Sequence, residues 1–294
     1  MIDKAPVMVL DEHGRTENGF GGGLKTFDFE LDVPGGPVHF EVHVAQRPAN
    51  LSDLVPLARM ISARLSLATM NNLRRDGACV PCRKGCPACC TYMVPLSVPE
   101  AFRLWDDISA LPAERRGSVY ESCVAAAQKI LDAVPQDLAG NEPTQTDSLH
   151  ISRLGGWYAG LRLPCPFLSD GLCTSYQDRP LACREHLVTG SAAPCRGEGP
   201  AEPSVVPLPV SVLECLGQLA AELEQSELEA VMLPLALPWA QENIERSRQT
   251  WPATAMVERF IEILRETTND GRQRTDDGRR REKRLSIADW RLPI

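Results

Sequence analysis

The residues best suited to chemistry are the cysteines. There are 11 of them, and nine fall into two groups. Cys79, Cys82, Cys86, Cys89 and Cys90 stand within ACVPCRKGCPACC. Cys165, Cys173, Cys183 and Cys195 form the second group, with gaps of seven, nine and eleven residues. Thiolate is a soft ligand suited to zinc, Cu(I) and iron–sulfur clusters. The two-residue gap of Cys86-Pro87-Ala88-Cys89 lets two thiolates reach one metal or one cluster. Cys89 and Cys90 are adjacent, so their side chains diverge. That points to a cluster with several iron corners, to a binuclear site, or to one ligand beside a spare thiol. A redox dithiol needs one CxxC, and an odd total cannot be fully paired as disulfides. Clustered thiols in two groups ask for a metal.

Arg83, Lys84, Arg179 and Arg184 stand close to these cysteines in sequence. Cationic neighbours lower a thiol's pKa and balance the charge of a thiolate site. Pro166 disfavours helix at Cys165 and leaves a turn there. His186 is three residues past Cys183 and reads as a packing neighbour of the site, with ligation or proton shuttling as the other role. Tyr92 and Tyr176 read as packing aromatics. Cys123 and Cys215 stand alone on apolar helical stripes and read as small core residues. Cys79 is left without a role. No Ser-His-Asp arrangement, spaced carboxylate pair or Walker-type loop accompanies the cysteines.

Charge and hydropathy narrow the setting. The chain carries 31 Lys plus Arg against 39 Asp plus Glu, a net charge of −8. That balance speaks against nucleic acid as a general partner, which needs concentrated positive charge. No apolar run reaches the roughly 20 residues of a membrane helix. The nearest, Val231 to Ala240, is broken by Pro234 and Pro238. The opening MIDKAPVMVLDEHGR lacks the apolar core of a secretory signal. A cytoplasmic location, where thiols stay reduced, is the expectation.

The elements that must position the cysteines read as mainly α with a small N-terminal β-hairpin, the helices and loops being organised around the metal site. A lead and hairpin are expected over 1–48, a helical cysteine-cluster domain over 49–268 and a basic tail over 269–294. Strand alternation runs over 26–44 with Gly35 and Gly36 in the turn. GFGGG at 19–23 reads as a flexible turn. His39, Glu41 and His43 share the hairpin's polar face, the two histidines about 13 Å apart and too distant to chelate one ion. Helical spacing appears over 52–75, 98–109, 113–134, 150–161, 210–224, 239–248 and 253–268. Glu222, Glu224, Glu227 and Glu229 read as an acidic solvent face. Residues 135–149 and 189–209 read as loops. The tail, with RQRTDDGRRREKR and then Leu285, Ile287, Trp290 and Leu292, reads as an arm packing on its own domain or as a contact for a partner or an anionic surface.

Two blocks, CRKGCPACCTYMVPLSVPEA and CPFLSDGLCTSYQDRPLACREH, resemble the CxxCxxCC cysteine-cluster family, the YkgJ-like zinc- or iron-chelating domains. The second block carries the family's CPFL start, Tyr176, the Arg179-Pro180 pair and the Cys183-Arg184 pair. The resemblance covers 79–195 and implies metal ligands drawn from Cys82, Cys86, Cys89, Cys90, Cys165, Cys173 and Cys183. Cys195 corresponds to a further late cysteine of some members. The first gap holds three residues where the family's name has two. The related flagellin lysine N-methylases are linked to an iron–sulfur cluster and S-adenosylmethionine, but no strand–GxGxG–helix pattern occurs here.

Three functions follow from these residues. One is an iron–sulfur protein in electron transfer or catalysis, tuned by Arg179 and Arg184. The second is a zinc protein in which four-cysteine sites staple helices for binding. The third is an enzyme that modifies a protein or small molecule. Zinc would call for short knuckle spacing twice, and it occurs once. The long gaps of the second group suit loops wrapped around one larger object, which favours iron–sulfur. The protein or small molecule that would serve as partner is not readable from the residues.

Overall fold

Apolar and polar residues alternate from Leu24 to Ala45, the period of a strand with one buried face. The computed structural model describes residues 8–9, 23–135 and 148–277. Its first strand, β1 (Met8–Val9), lies along one edge of a hairpin formed by β2 (Leu24–Val33) and β3 (Gly36–Ala45). Phe29 opposes Phe40 across the ladder, and their rings stack at 5.0 Å. Phe29, Leu31, Phe40, Val42 and Val44 are all buried. The turn is Pro34-Gly35, and Gly36 already pairs with Val33, so the expected two-glycine turn is displaced by one residue. Gly35 has φ +102°, and a Cβ there would stand 2.9 Å from the side chains of Asn72 and Arg75. His39 binds Asp28 (2.7 Å) and His43 binds Thr26 (2.9 Å) on the outer face.

β4 (Pro48–Ala49) leads to Asn50, whose N–H donates to Asp53 Oδ2 at 3.0 Å and starts a single 3-10 turn. α1 (Val55–Arg75) follows directly. β5 (Pro95–Ser97) runs into α2 (Val98–Ser109), and α3 (Ala113–Ala133) and α4 (Ser148–Leu161) come next. β6 (Leu168–Ser169) and β7 (Leu172–Cys173) form a minimal hairpin ahead of the short helix α5 (Leu181–Glu185). β8 (Val188–Thr189) pairs with β9 (Ser204–Val205), so the stretch expected as loop carries a strand pair. Then come α6 (Val212–Glu224), β10 (Ala230–Met232), which pairs with β5, α7 (Ala236–Glu242) and α8 (Ile244–Ser247). β11 (Trp251–Pro252) pairs with β4 and opens α9 (Ala253–Asp277).

Two cores result. The hairpin lays its apolar face on α1, α6 and α9, with Leu57, Ile61, Leu216 and Phe260 buried between them. α2, α3 and α7 form the second core with the β5–β10 pair, around Phe102, Ile130 and Trp239. Each fully buried Leu, Ile or Phe contributes about 1.5–3 kcal/mol. The mainly helical architecture with an N-terminal hairpin is the expected one. Cys123 is buried in the second core, and Cys215, also buried, lies in the first.

The acidic face around the end of α6 is corrected in part. Glu224 is buried at 6% side-chain exposure and binds Arg246 at 2.9 Å. Glu222 takes Arg259 of α9 at 2.7 Å, and Glu229 also takes Arg246. Glu222 and Glu227 remain exposed as expected, while Glu224 is drawn inward by Arg246. A second correction concerns the tail, because α9 continues helical to Asp277. Residues 19–22, 136–147 and 278–294 lie outside the described residues, and with them most of the GFGGG turn and the polar loop, and the apolar peptide of the tail. No described helix is long and apolar enough to cross a membrane.

Candidate metal centre

Tight turns present the first cysteine group. Cys86 N–H donates to Arg83 O (3.2 Å), Cys90 N–H to Pro87 O (2.9 Å) and Tyr92 N–H to Cys89 O (3.1 Å). The second group is tied to it by one backbone bond, Cys165 N–H to Cys90 O at 2.7 Å. Cys173 ends the β6–β7 hairpin, whose Asp170-Gly171 turn has φ of 50° and 73°. Positive φ at both central residues is what a two-residue hairpin turn requires and what Asp-Gly supplies. Cys183 sits on α5, and Cys195 on a 3-10 turn over Pro194–Arg196.

These segments enclose a cavity of about 220 Å3. Cys82, Cys86, Cys89, Cys90, Cys165, Cys173 and Cys183 all line it, so thiols far apart in sequence share one wall. Cys195 is buried just outside that wall, packed with Cys82, Cys86, Ala88, Val188 and Tyr92. Cys79 is exposed, and its carbonyl accepts from Gly190 N–H at 2.8 Å. All eleven cysteines are free thiols. Among the described residues, no three Cys, His, Asp or Glu side chains converge tightly enough to hold one ion. The thiols are distributed around the cavity.

Burial governs the electrostatics. It pushes the Cys165 thiol up to about 11, with Cys173 and Cys89 adding repulsion. Cys183 is raised, by burial first and then by Cys165, Cys89 and Cys173. Cys89 is raised, first by its hydrogen bond with Cys90 and then by burial. Cys82 and Cys195 are raised by burial and by neighbouring thiols. The expectation that basic neighbours would hold these thiols low is therefore overturned. Arg179 does pull Cys82, Cys89 and Cys183 downward, but burial and mutual repulsion outweigh it. Packing this many thiols together is unfavourable for their anionic form unless a cation joins them. Two buried nitrogens of cavity residues, Arg179 Nε and His186 Nε2, also have no protein partner. Soft donors, crowding and unpartnered polar atoms together fit a metal group.

The basic residues have separate tasks. The Arg179 guanidinium lies 4.2 Å over the Tyr176 ring. Arg184 turns back on the chain, donating from Nε to Arg179 O at 3.0 Å and from its terminal nitrogen to Gln177 O. It therefore braces the loop before α5. Burial, with Arg179 and Arg59 nearby, lowers its pKa to about 10. Burial also lowers His186, whose ring meets Tyr92 edge-on at 5.5 Å. Tyr92 hydroxyl bonds Cys195.

Two carboxylates that sequence reasoning missed hold α5 at both ends. Glu100 Oε1 accepts from Leu181 N–H at 2.8 Å, while Oε2 accepts from Ser97 N–H and hydroxyl. Glu185 Oε2 accepts from Ser211 hydroxyl at 2.9 Å, and Oε1 from Leu213 N–H at 3.2 Å and Ser62 hydroxyl at 3.4 Å. Glu100 had a visible signal, since Ser97-Val98-Pro99-Glu100 is a capping-box pattern. Glu185 had none, because its burial depends on α5 lying between α1 and α6.

The seven cavity cysteines and Cys195 fall within a single family match, and Cys79 lies outside it. Residues 81–197 match the CxxCxxCC family. Its model is described as a "Putative zinc- or iron-chelating domain". The CxxCxxCC match begins at Pro81, just before the first cavity cysteine, runs past Cys195 and leaves out the hairpin, α6 and α9. That description supports metal binding by this segment, as the two cysteine blocks implied. No curated protein and no solved structure matches this chain.

Proposed function

We propose that this chain is an iron–sulfur protein holding its cluster in the cysteine-lined cavity. The observation that carries this reading is the breadth of the thiol set. Seven thiols from both groups are spread around one cavity of about 220 Å3, and among the described residues no three converge closely enough for one ion, a spread that suits the separate iron corners of a cluster better than one tetrahedral zinc ion. The ligands are drawn from those seven and Cys195. Arg179, beside the thiols, and the apolar surroundings tune the potential, and Arg184 keeps the Arg179 loop in place. The bound cluster supplies electron transfer, or catalysis at an open iron corner. A protein or small molecule that exchanges electrons with it completes this reading, as does a reducing, cytoplasmic setting.

Zinc is the second reading, favoured by the tight Cys86–Cys89 turn, whose two-residue gap is that of a zinc knuckle. Anaerobic purification with iron, sulfide and zinc analysis separates the two. Brown protein with broad visible absorption and stoichiometric iron and sulfide is the expected result. Colourless protein with stoichiometric zinc overturns it.

A further inference from the structure

The cysteine set divides at its two consecutive members. Cys82 and Cys86 pack with Cys195 in a small apolar cluster that includes Ala88 and Val188. Cys165 and Cys173 pack instead against the core of α2, α3 and α7, beside Phe167. Cys183 lines the cavity with those two, and among neighbouring thiols Cys165 acts on it most strongly. Cys195 has Cys82 and Cys86 as thiol neighbours, and Cys89 acts on both Cys195 and Cys183. Between the two sets stand Cys89 and Cys90, whose side chains touch through a hydrogen bond. Ala88, just before them, belongs to the first cluster. The Cys90 carbonyl, just after, is bonded to Cys165 of the second set.

We propose that the eight thiols hold two adjoining metal centres, one on Cys82, Cys86 and Cys195 and the other on Cys165, Cys173 and Cys183, with Cys89 and Cys90 at the junction completing one each. This deepens the metal-binding reading and rests on it, whichever metal is bound. Four thiolates complete one tetrahedral zinc ion or one iron–sulfur cluster, and eight complete two. Cys89 and Cys90, whose side chains meet instead of diverging as their adjacency suggested, then serve as a shared wall. Cys195, outside the cavity lining, becomes a ligand reached from the far side of Cys82 and Cys86.

The test is metal per chain in the full-length protein, purified anaerobically after growth with iron and zinc. Cys86→Ala with Cys195→Ala should keep about half of the wild-type metal, and so should Cys165→Ala with Cys173→Ala. All four substitutions together should leave almost none. A single shared centre would make each pair as empty as the quadruple variant, or leave one pair fully loaded, and either result overturns the division. Far-UV circular dichroism checks that each variant is folded. If a pair unfolds, Cys195→Ala and Cys183→Ala alone read the same split. The element found decides between iron and zinc, and the fractional loss decides the number of centres, so each can fail without the other.

Discussion

At the scale of single residues, the thiols differ by what surrounds them. Cys89 and Cys183 line the cavity, and both are raised by burial and by other thiols. Cys123 is fully buried among Ala127, Ile130 and Phe102 of the second core, and burial raises its thiol to about 12. Replacing Cys89 or Cys183 by Ser should therefore lower the metal content per chain. Cys123→Ser should leave it unchanged while costing about 1–3 kcal/mol of stability, because a hydroxyl is desolvated in an apolar core. Elemental analysis and denaturant unfolding read the two effects separately. Metal loss in Cys123→Ser would show that the ligand set is drawn wrongly. Raised thiols also mean that metal binding displaces protons, so metal retention should fall as pH is lowered. A competition titration with a chelator at two pH values measures this.

At the scale of elements, the short helix α5 depends most on its neighbours. α5 has five residues, too few to be stable alone, yet it carries Cys183. Glu100 and Glu185 hold its two ends. Glu185→Ala should destabilise the protein by about 2 kcal/mol or more, since Leu213 N–H and two hydroxyls lose a buried acceptor. It should also weaken metal retention. Glu185→Gln keeps an acceptor and should recover most of both, as read by thermal melting and metal content. The α6–α9 contact behaves differently. Arg259 binds Glu222, Glu262 and Glu266 in a partly exposed network, and its bond to Glu222 holds that carboxyl below the usual range. A depressed carboxylate pKa stabilises above the unfolded value, and this is lost as pH falls through the native one. Arg259→Gln should then reduce the acid sensitivity of unfolding, with an effect below about 1 kcal/mol near neutral pH that salt screens. An unchanged pH slope would remove this pair from the acid response.

At the scale of the whole molecule, stability is unevenly spread. The two large cores are built from long helices, the hairpin and the β5–β10 pair. The cysteine loops bury little of their own, with only Ala88, Val188 and Cys195 forming their buried cluster. Metal binding adds stability to whatever it joins. Removing metal with a chelator should increase amide exchange first over 79–94 and 162–206, while α1, α6 and the hairpin stay protected. Hydrogen-exchange mass spectrometry with and without metal tests this. Uniform loss of protection would mean that the metal holds the entire fold.

What the sequence determined by itself was local. Periods of two and of 3.6 residues marked the hairpin and most helices, because burial of one face imposes those periods. Thiol softness and clustering marked a metal-binding segment, and the two blocks resembled its family. Tertiary structure decided everything that depends on which distant segments meet. Only packing brings Cys82 and Cys183 to one cavity, places Cys195 behind its wall, and buries Glu185 between α1 and α6. It also gave Glu222 and Glu224 ion-pair partners on other helices, since a charge's worth depends on the partner that the fold brings to it. The same holds for the thiols. Basic neighbours in sequence suggested low pKa values, and burial reversed the sign, because desolvation is a property of the folded surroundings and not of the nearby letters.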